Sequence, residues 1–222
     1  MRTFCLAVIA FFAVSGCGGS FVVHERSDQP IRKIALLSVP PTGDYFVEQI
    51  TPNVLDRAPV NFINANHLFQ RERFDLRDYL EGVIVTEFAK KGIAVAVIPI
   101  HRDGPRKLFE NFETIDAQLR DFDAVLEVLP STPGYHFGPY GERSMGRLRP
   151  MLGMMIQMQS VRPRKVLCRD RFAYSFDVRT PEDEKYIFED MKTLVGTPAF
   201  AVAGLQHASR SLVKHFVSVC AL

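Results

Sequence analysis

The sequence predicts an α/β fold: a mixed sheet with a β-α-β-α-β core, an antiparallel hairpin and a C-terminal helix. Runs rich in β-branched residues alternate with stretches whose apolar residues recur at helical spacing. Residues 93–98 form a continuous apolar run, which is typical of a strand in a parallel sheet. Two alternating segments flank the charged residues 162–165, which is typical of an antiparallel hairpin.

A first β-α-β unit is predicted at the start of the domain. The apolar run 31–39 ends at two prolines and is typical of a strand. Residues 42–74 show no sustained period, so we expect an insertion with a short helix near its start. Asp75 has the sequence context of a helix N-cap, and the apolar stripe that follows continues to Gly92. The strand at 93–98 comes directly after this helix, and we expect it to be buried on both faces.

The second half of the domain is predicted to repeat this alternation. We expect a helix over 105–119 and a third strand at 122–129, each from its own apolar pattern. Residues 134–150 are rich in Gly, Arg and aromatic side chains, and we expect them to form a loop. The segments 151–161 and 166–175 then form the antiparallel hairpin.

The chain is predicted to end on a helix over 197–219, with a proline in its first turn. A further short helix is expected within 181–194. His207 and His215 lie eight residues apart on the last helix, so they share a face without touching. We expect both to be ordinary residues of the helix surface or edge.

The amino terminus has the layout of a secretory signal: one positive charge, an apolar stretch over 4–14 and then small residues. The apolar stretch is shorter than the about 20 residues that span a bilayer. Val14-Ser15-Gly16-Cys17 resembles the lipobox of bacterial lipoproteins. The resemblance implies cleavage after Gly16 and diacylglycerol on the thiol of Cys17. The alternative is an ordinary secreted protein with a chance cysteine.

The lipobox resemblance implies a signal peptide at 1–16, a lipidated tether at 17–30 and a single periplasmic α/β domain at 31–222. Acylation of the new amine, for instance by palmitate, belongs to the same expectation, and two or more acyl chains give stable anchoring. Lipoproteins that are retained at the inner membrane carry Asp directly after the lipidated cysteine. Gly18 stands at that position here, which resembles lipoproteins exported to the outer membrane. We therefore expect a lipid-anchored protein on the periplasmic face of that membrane.

The composition bounds the classes of partner and the number of domains. The chain has 27 basic and 25 acidic residues. Arg2 is the one charged residue of the predicted signal, so its removal leaves 26 basic and 25 acidic residues. A net charge of +1 does not indicate nucleic-acid binding. Since 47% of the residues are hydrophobic, the chain can bury one sizeable core.

The cysteines indicate an oxidising compartment once the predicted signal is removed. Cys5 is discarded with the signal and Cys17 carries lipid, so Cys168 and Cys220 are the remaining thiols. Both lie on predicted inward-facing positions, Cys168 on a strand and Cys220 on the last helix. We hypothesise a disulfide between them; the alternative is two buried, unpaired thiols.

The sequence carries no motif that identifies a reaction. It contains no P-loop, no Gly-x-Ser-x-Gly elbow, no His-Glu-x-x-His and no Cys-x-x-Cys. We therefore assign no catalytic residue and no cofactor. The loops at the carboxyl edge of the sheet bring together His67, His101, Asp103 and His136, which is a conceivable zinc set. Because none of them has ligand spacing on a regular element, scattered surface histidines are favoured, and we assign no metal site.

The loop at 134–150 is the predicted partner-binding segment. Tyr and Arg are enriched at binding hot spots, and Gly allows a loop to adapt. The candidate residues are Tyr135, His136, Tyr140 and Arg143. The alternative is a mobile connection with no ligand. The methionines that follow, Met151, Met154, Met155 and Met158, are predicted to fill the core instead of forming an adaptable surface.

The order of elements supplies a second resemblance. Ile31-Arg32-Lys33-Ile34-Ala35-Leu36-Leu37, the helix ending Phe88-Ala89-Lys90-Lys91-Gly92 and Phe122-Asp123-Ala124-Val125-Leu126-Glu127-Val128 resemble the TolB amino-terminal and curli-channel type of envelope domain. This likeness implies a noncatalytic protein that binds or helps assemble another envelope component. The alternative is an envelope-acting enzyme, such as a metal-dependent hydrolase using His101, Asp103 and His136. Assembly into a ring or channel ranks last.

The predicted disulfide can be tested by thiol counting on the denatured mature protein. We expect no free thiol without reductant and two after reduction, because Cys168 and Cys220 pair and Cys17 carries lipid. Cys168→Ser serves as the control, since it frees the thiol of Cys220. Two free thiols in the unreduced wild-type chain would exclude the bridge.

Overall fold

The computed structural model describes residues 22–25, 27, 29–50, 60–100, 112–137, 147–174, 178 and 180–220. These residues form a mixed sheet that is covered by helices, so the predicted α/β class is confirmed. The strands are β1 (Val23–His24), β2 (Lys33–Leu37), β3 (Phe46–Ile50), β4 (Val60–Asn64), β5 (Ala94–Ile98), β6 (Ala124–Phe137), β7 (Leu148–Ser160) and β8 (Val166–Ala173). The α-helices are α1 (Asn66–Arg71), α2 (Leu76–Ala89), α3 (Met191–Gly196) and α4 (Pro198–Val219), and two 3₁₀ helices span Phe112–Leu119 and Pro181–Tyr186.

The sheet combines a parallel part with an antiparallel part. Its main path runs β1-β8-β7-β6-β2-β5. Strand β2 is parallel to both β5 and β6, whereas β6, β7 and β8 form an antiparallel meander. Strands β3 and β4 are antiparallel to each other, and β3 is parallel to the far end of β6. Strand β6 therefore connects all parts of the sheet.

Helix α2 agrees with its prediction in both its start and its buried face. The Asp75 carboxylate accepts hydrogen bonds from the backbone N–H groups of Arg77 and Asp78, as an N-cap does. The buried residues recur every four positions and pack on the sheet: Leu76, Leu80, Ile84 and Phe88. Helix α2 and strand β5 are joined by Gly92, whose φ is +75°, a conformation that favours glycine.

Strand β5 is less buried than we predicted from its continuous apolar run. It is the last strand of the main path, and the exposed fraction of Val97 is 38%. An apolar run indicates a strand that suits a parallel sheet, but the order of strands decides whether that strand lies in the middle or at the edge. The prediction of burial on both faces was therefore wrong.

The predicted insertion at 42–74 contains regular structure. The expected short helix near its start is strand β3, which pairs with β4 on one side and with the end of β6 on the other. The ring of Tyr45 stacks on Phe69 of α1 at 4.3 Å between centroids. Side-chain pattern did not predict β3, because one of its two neighbours, β6, comes from a distant part of the chain.

The predicted loop at 134–150 is partly strand. Strand β6 continues to Phe137 and β7 begins at Leu148, with a register shift between Ser131 and Gly134. Gly134 has a φ of +158°, and a Cβ atom on it would lie 1.8 Å from the carbonyl oxygen of Phe46. Only glycine permits this close approach of β3 to β6. The residues 138–146 between the strands lie outside the described part.

The two faces of the sheet are covered differently. Helices α2 and α4 cover one face, and their apolar stripes form the main core with the inner residues of β6 and β7. A smaller apolar cluster lies on the opposite face, where Ile115 and Leu119 of the first 3₁₀ helix contact β2 and β6. The sequence predicted an α-helix over 105–119; residues 112–119 are 3₁₀, and 101–111 are outside the described residues.

The last helix agrees with its predicted limits and carries much of the core. Helix α4 runs from Pro198 to Val219, and the ring of Phe216 contacts Phe88 edge-on at 5.9 Å. The predicted short helix within 181–194 corresponds to the second 3₁₀ helix and the start of α3. Among the described residues, no helix has the length and apolar character required to cross a membrane.

The tight approach at Gly134 gives a stability prediction. Gly134→Ala lowers the free energy of unfolding by about 1–3 kcal/mol or more, because the new Cβ overlaps the Phe46 carbonyl. Gly82→Ala in α2 is the matched control: it has open space and raises that free energy by about 0.5–1 kcal/mol. Urea unfolding followed by circular dichroism measures both. Equal stability of the two variants would contradict the strand contact.

Candidate functional site

The amino-terminal end of the described chain is held on the edge of the sheet. Strand β1 pairs antiparallel with β8, with Val23 opposite Arg169 and His24 opposite Cys168. The His24 Nε2 atom lies 2.9 Å from Oδ2 of Asp170. Next in the chain, the Glu25 N–H donates to the Leu167 carbonyl. Part of the segment expected as a tether at 17–30, from Val23 to Glu25, is therefore joined to the sheet.

Strand β8 is also connected to the last helix. Cys168 on β8 and Cys220 at the end of α4 form a disulfide, with Cα atoms 5.7 Å apart. His24 lies beside this bridge, and its ring nitrogen and the two sulfur atoms are all within 4.8 Å of one another. Because the sulfurs are bonded to each other, they are not available as thiolate ligands. The bridge thus joins β8 to the end of α4 at the cysteine that lies opposite His24 of β1.

The predicted partner-binding residue Tyr135 is part of the core. Its side chain is fully buried, and its hydroxyl donates a 2.7 Å hydrogen bond to the carbonyl oxygen of Ala201 in α4. A Cβ atom on Gly204 would lie 2.2 Å from that hydroxyl, so the helix accommodates the tyrosine at a glycine. Burial raises the pKa of Tyr135 well above its ordinary value, as does the charge of Tyr186. The expectation of Tyr135 as an exposed contact is corrected to a role in packing β6 on α4.

The other predicted loop residues divide into two groups. His136 is the next residue of β6, and its exposed fraction is 3%. We had expected it on an accessible loop, whereas it is buried. Tyr140 and Arg143 lie outside the described residues, as do His101 and Asp103 of the alternative metal set. His67 is exposed on α1. Of that set, the structure therefore describes His67 and His136, the first exposed on α1 and the second buried on β6.

The predicted methionine row lies on both faces of β7. Met154 and Met158 are fully buried in the main core, as predicted. Met151 and Met155 alternate with them on the opposite face and are half-buried. Because successive strand residues point to opposite faces, the spacing of the four methionines required this division.

A polar cluster that the sequence did not predict joins the end of β8 to α4. The Asp183 carboxylate accepts hydrogen bonds from the hydroxyls of Tyr174 and Thr180, and its Oδ1 lies 3.2 Å from Nε2 of His207. The same His207 nitrogen lies 3.0 Å from Oγ1 of Thr180. The ring of Tyr186 stacks on His207 at 4.9 Å between centroids. His207 is 7% exposed, so it is not the surface residue that we predicted.

The hydrogen bonds of this cluster favour a charged carboxylate. Burial alone would raise the pKa of Asp183, but the hydrogen bonds from Thr180, Tyr174 and His207 outweigh it and lower that pKa below the ordinary value of 3.8. The pKa of the Tyr174 hydroxyl is raised, first by burial and then by its hydrogen bond to Asp183. Asp183 therefore carries its charge at neutral pH.

The cluster has the geometry of a structural hydrogen-bond network, which differs from that of a nucleophilic triad. A triad histidine uses one ring nitrogen for the nucleophile and the other for an orienting carboxylate. Here Asp183 and Thr180 both contact Nε2 of His207, while Nδ1 lies 3.9 Å from Glu182, beyond hydrogen-bond distance. What the arrangement does is fix the second 3₁₀ helix against α4. Thr180 and Asp183 form a capping box, which is visible in the sequence, but their contact with His207 is not.

Comparisons with known proteins give structural likenesses only. No protein-family model matches the chain, and no curated protein sequence matches it. The solved structures that are similar include protein XCC0632 from Xanthomonas campestris, at 11% identity over 88% of each chain with a TM-score of 0.43. Another is the PelC dodecamer from Paraburkholderia phytofirmans, at 15% identity over 90% of this chain and 94% of that one, with a TM-score of 0.44.

A further similar structure is lipoprotein GNA1162 from Neisseria meningitidis, at 13% identity over 78% of this chain and 95% of that chain, with a TM-score of 0.30. All three likenesses have low identity and low TM-scores. They therefore assign neither a function nor a partner to this chain.

The polar cluster makes stability depend on acid pH. The pKa of Asp183 is lower in the folded than in the unfolded chain, so its contribution is fully present above about pH 5 and is lost as pH falls through the folded pKa. Asp183→Asn is expected to lower the free energy of unfolding by about 1–3 kcal/mol at neutral pH and to flatten the acid decline. Urea unfolding at a series of pH values measures this. Glu184→Gln, an exposed neighbour, should leave the profile unchanged.

Proposed function

We propose that this chain is an envelope lipoprotein, lipidated at Cys17, whose periplasmic domain binds or helps assemble another envelope component. The observation that carries the proposal is the position of Cys17 just before a segment paired to the sheet. The lipobox-like residues supply the attachment site, and β1 pairs the chain with the sheet at Val23 and His24. Residence on the outer membrane, suggested by Gly18, is part of this proposal.

The disulfide supports an extracytoplasmic location. Such bonds persist in oxidising compartments such as the periplasm and are rare in the cytosol. Cys168 and Cys220 are 1% and 7% exposed, so the bridge is shielded. The bridge closes a loop of 52 residues in sequence separation, which favours the folded state by about 4 kcal/mol in the chain-entropy model. A domain that faces the periplasm gains from this covalent connection.

The short connection to the lipid would hold the domain close to the bilayer. Cys17 precedes Val22 by five residues, which reach at most about 18 Å when fully extended. Two or more acyl chains make the attachment stable, and confinement at the membrane raises the effective concentration near other envelope proteins. Modest contacts then suffice for capture of a partner.

The connection between β6 and β7 remains the proposed partner-binding segment. Its base is fixed, because Tyr135 bonds to α4 and Leu148 pairs with Phe188 through two backbone hydrogen bonds. Binding residues often lie on a connection whose two ends are held by a rigid scaffold. With Tyr135 and His136 buried, Tyr140 and Arg143 are the residues that we propose to contact the partner.

The test is crosslinking in living cells, followed by affinity purification of the detergent-solubilised full-length protein and quantitative mass spectrometry. We expect one dominant envelope partner, and we expect Cys17→Ser to lose both membrane association and most of the captured partner. Tyr140→Ala with Arg143→Ala should keep the protein in the membrane fraction and reduce the captured partner about tenfold or more, as loss of hot-spot contacts does.

The matched control is Lys192→Ala with Val195→Ala, two exposed residues of α3. It should capture the partner as the wild type does. Membrane association that survives Cys17→Ser would contradict the anchor. Capture that survives the loop substitutions would remove Tyr140 and Arg143 from the proposal, while leaving the anchor in place.

A further inference from the structure

Three side chains that can bind a metal ion meet where β1, β8 and the end of α4 come together. Cys168 lies on β8, Cys220 ends α4, and His24 of β1 lies opposite Cys168. One ring nitrogen of His24 and the two sulfur atoms all lie within 4.8 Å of one another. Thiolates and imidazole nitrogen are ligands that zinc prefers, and a water molecule commonly takes the fourth tetrahedral position. The disulfide occupies both sulfurs, so this set can bind a metal ion only in the reduced chain.

The distances suit zinc once the bond between the sulfurs is broken. Bonded sulfurs are about 2 Å apart, whereas two thiolates on one zinc ion lie about 3.8 Å apart. The Cα atoms of Cys168 and Cys220 are 5.7 Å apart, so rotation of the two side chains can separate the sulfurs by this amount. An imidazole nitrogen and a thiolate on one zinc ion lie about 3.5 Å apart, so His24 needs to move by about 1 Å. Strand β1 can make this adjustment, because it is two residues long and lies at the edge of the sheet.

Asp170 holds the ring of His24 in the form that binds a metal ion. It follows Cys168 by two residues on β8, and its Oδ2 accepts a 2.9 Å hydrogen bond from Nε2 of His24. Because a carboxylate can only accept, Nε2 carries the hydrogen and Nδ1 keeps the lone pair that a metal ion needs. A histidine that binds zinc commonly donates its other N–H to a carboxylate in this way.

Solvent reaches this site from the side of β1. Cys168 and Cys220 are 1% and 7% exposed, whereas the side chain of His24 is 34% exposed. A two-residue edge strand separates from its neighbour more readily than the long central strands do. Such an opening of β1 gives a reductant access to the sulfurs and gives a metal ion access to the reduced site.

We propose that the reduced chain binds one zinc ion through Cys168, Cys220 and His24, and that this ion joins β1, β8 and α4 in place of the disulfide. Reduction by a dithiol transfers two electrons and two protons to the bridge and converts the dithiol into a disulfide. Zinc then displaces the two thiol protons. Asp170 is a positioning residue, because it acts through His24.

Oxidation reverses the exchange. A disulfide oxidant takes two electrons from the thiolates and two protons from solvent, which re-forms the Cys168–Cys220 bridge and releases the zinc ion. The junction of β1, β8 and α4 is therefore held in both redox states, by a covalent bond in one and by the metal ion in the other.

The experiment uses the full-length protein purified in detergent, both oxidised and after reduction with a phosphine that is removed under argon. Competition with a chromogenic chelator measures zinc binding. We expect one zinc ion per reduced chain and an affinity at least about 100-fold lower for the oxidised chain, because a metal ion needs the thiolates. Zinc should also raise the melting temperature of the reduced chain and leave that of the oxidised chain unchanged.

Matched pairs of variants distinguish this site from unspecific binding by thiols. His24→Gln should weaken zinc binding by the reduced chain about 10–100-fold, and Asp170→Asn about tenfold or more. His67→Gln and Asp116→Asn change an exposed histidine and an exposed aspartate elsewhere, and both variants should bind zinc as the wild type does. Thermal melting of the oxidised variants checks that each is folded.

Cobalt(II) in place of zinc gives a readout that a purely structural role would not change. We expect the reduced wild type to show the sulfur-to-cobalt charge-transfer absorption and the visible bands of tetrahedral cobalt, because ligand type and geometry determine these bands. His24→Gln should shift the visible bands, since a nitrogen ligand is lost. Asp170→Asn should keep the bands of the wild type and require more cobalt to reach them.

Three results would overturn the zinc site. The first is zinc affinity that is the same in His24→Gln as in the wild type. The second is equal binding by the oxidised and reduced chains, or no binding by a folded reduced chain. The third is a reduced chain whose circular dichroism shows loss of the fold that zinc does not restore, because the ion would then not hold the junction.

Discussion

Strand β6 is the element on which the rest of the sheet depends, because it forms hydrogen bonds with neighbours on both sides. Its first residues pair in parallel with β2, its last residues pair with β3, and β7 follows nearly its whole length. The change of neighbour takes place at the register shift before Gly134, where the backbone of Phe46 approaches too closely for a side chain. Immediately beyond, Tyr135 connects the same strand to α4, so one short stretch fixes the sheet and its helical cover together.

Three chain segments that matter for the proposed anchor meet at the β1–β8 edge of the sheet. Strand β1 pairs with β8, and the disulfide joins β8 to the end of α4. His24 of β1 lies beside the disulfide. A protein that is attached to lipid by its amino terminus transmits any restraint through this junction. The junction is therefore covalently reinforced by the disulfide between β8 and α4.

The polar cluster around Asp183 shows why local sequence reasoning fails for contacts between distant residues. The capping box of Thr180 and Asp183 can be recognised from spacing alone, since both residues lie within one turn. His207 lies 24 residues further on, and its helical position gave it a surface role by default. The packing of the second 3₁₀ helix on α4 places it in the cluster. The same reason applies to Tyr135. The composition of its segment indicated a binding role, whereas its side chain is buried in the core.

The sequence by itself determined the α/β class, helices α2 and α4 and the main antiparallel hairpin, because each depends on apolar periodicity and end signals within a short window. It also carries the lipobox resemblance at Cys17, which is local by nature. Tertiary structure alone decided that β5 lies at an edge, that β3 is a strand and that β1 joins the sheet. The physical reason is that strand pairing depends on partners far apart in the chain, whose backbone hydrogen bonds leave no periodic trace in the sequence.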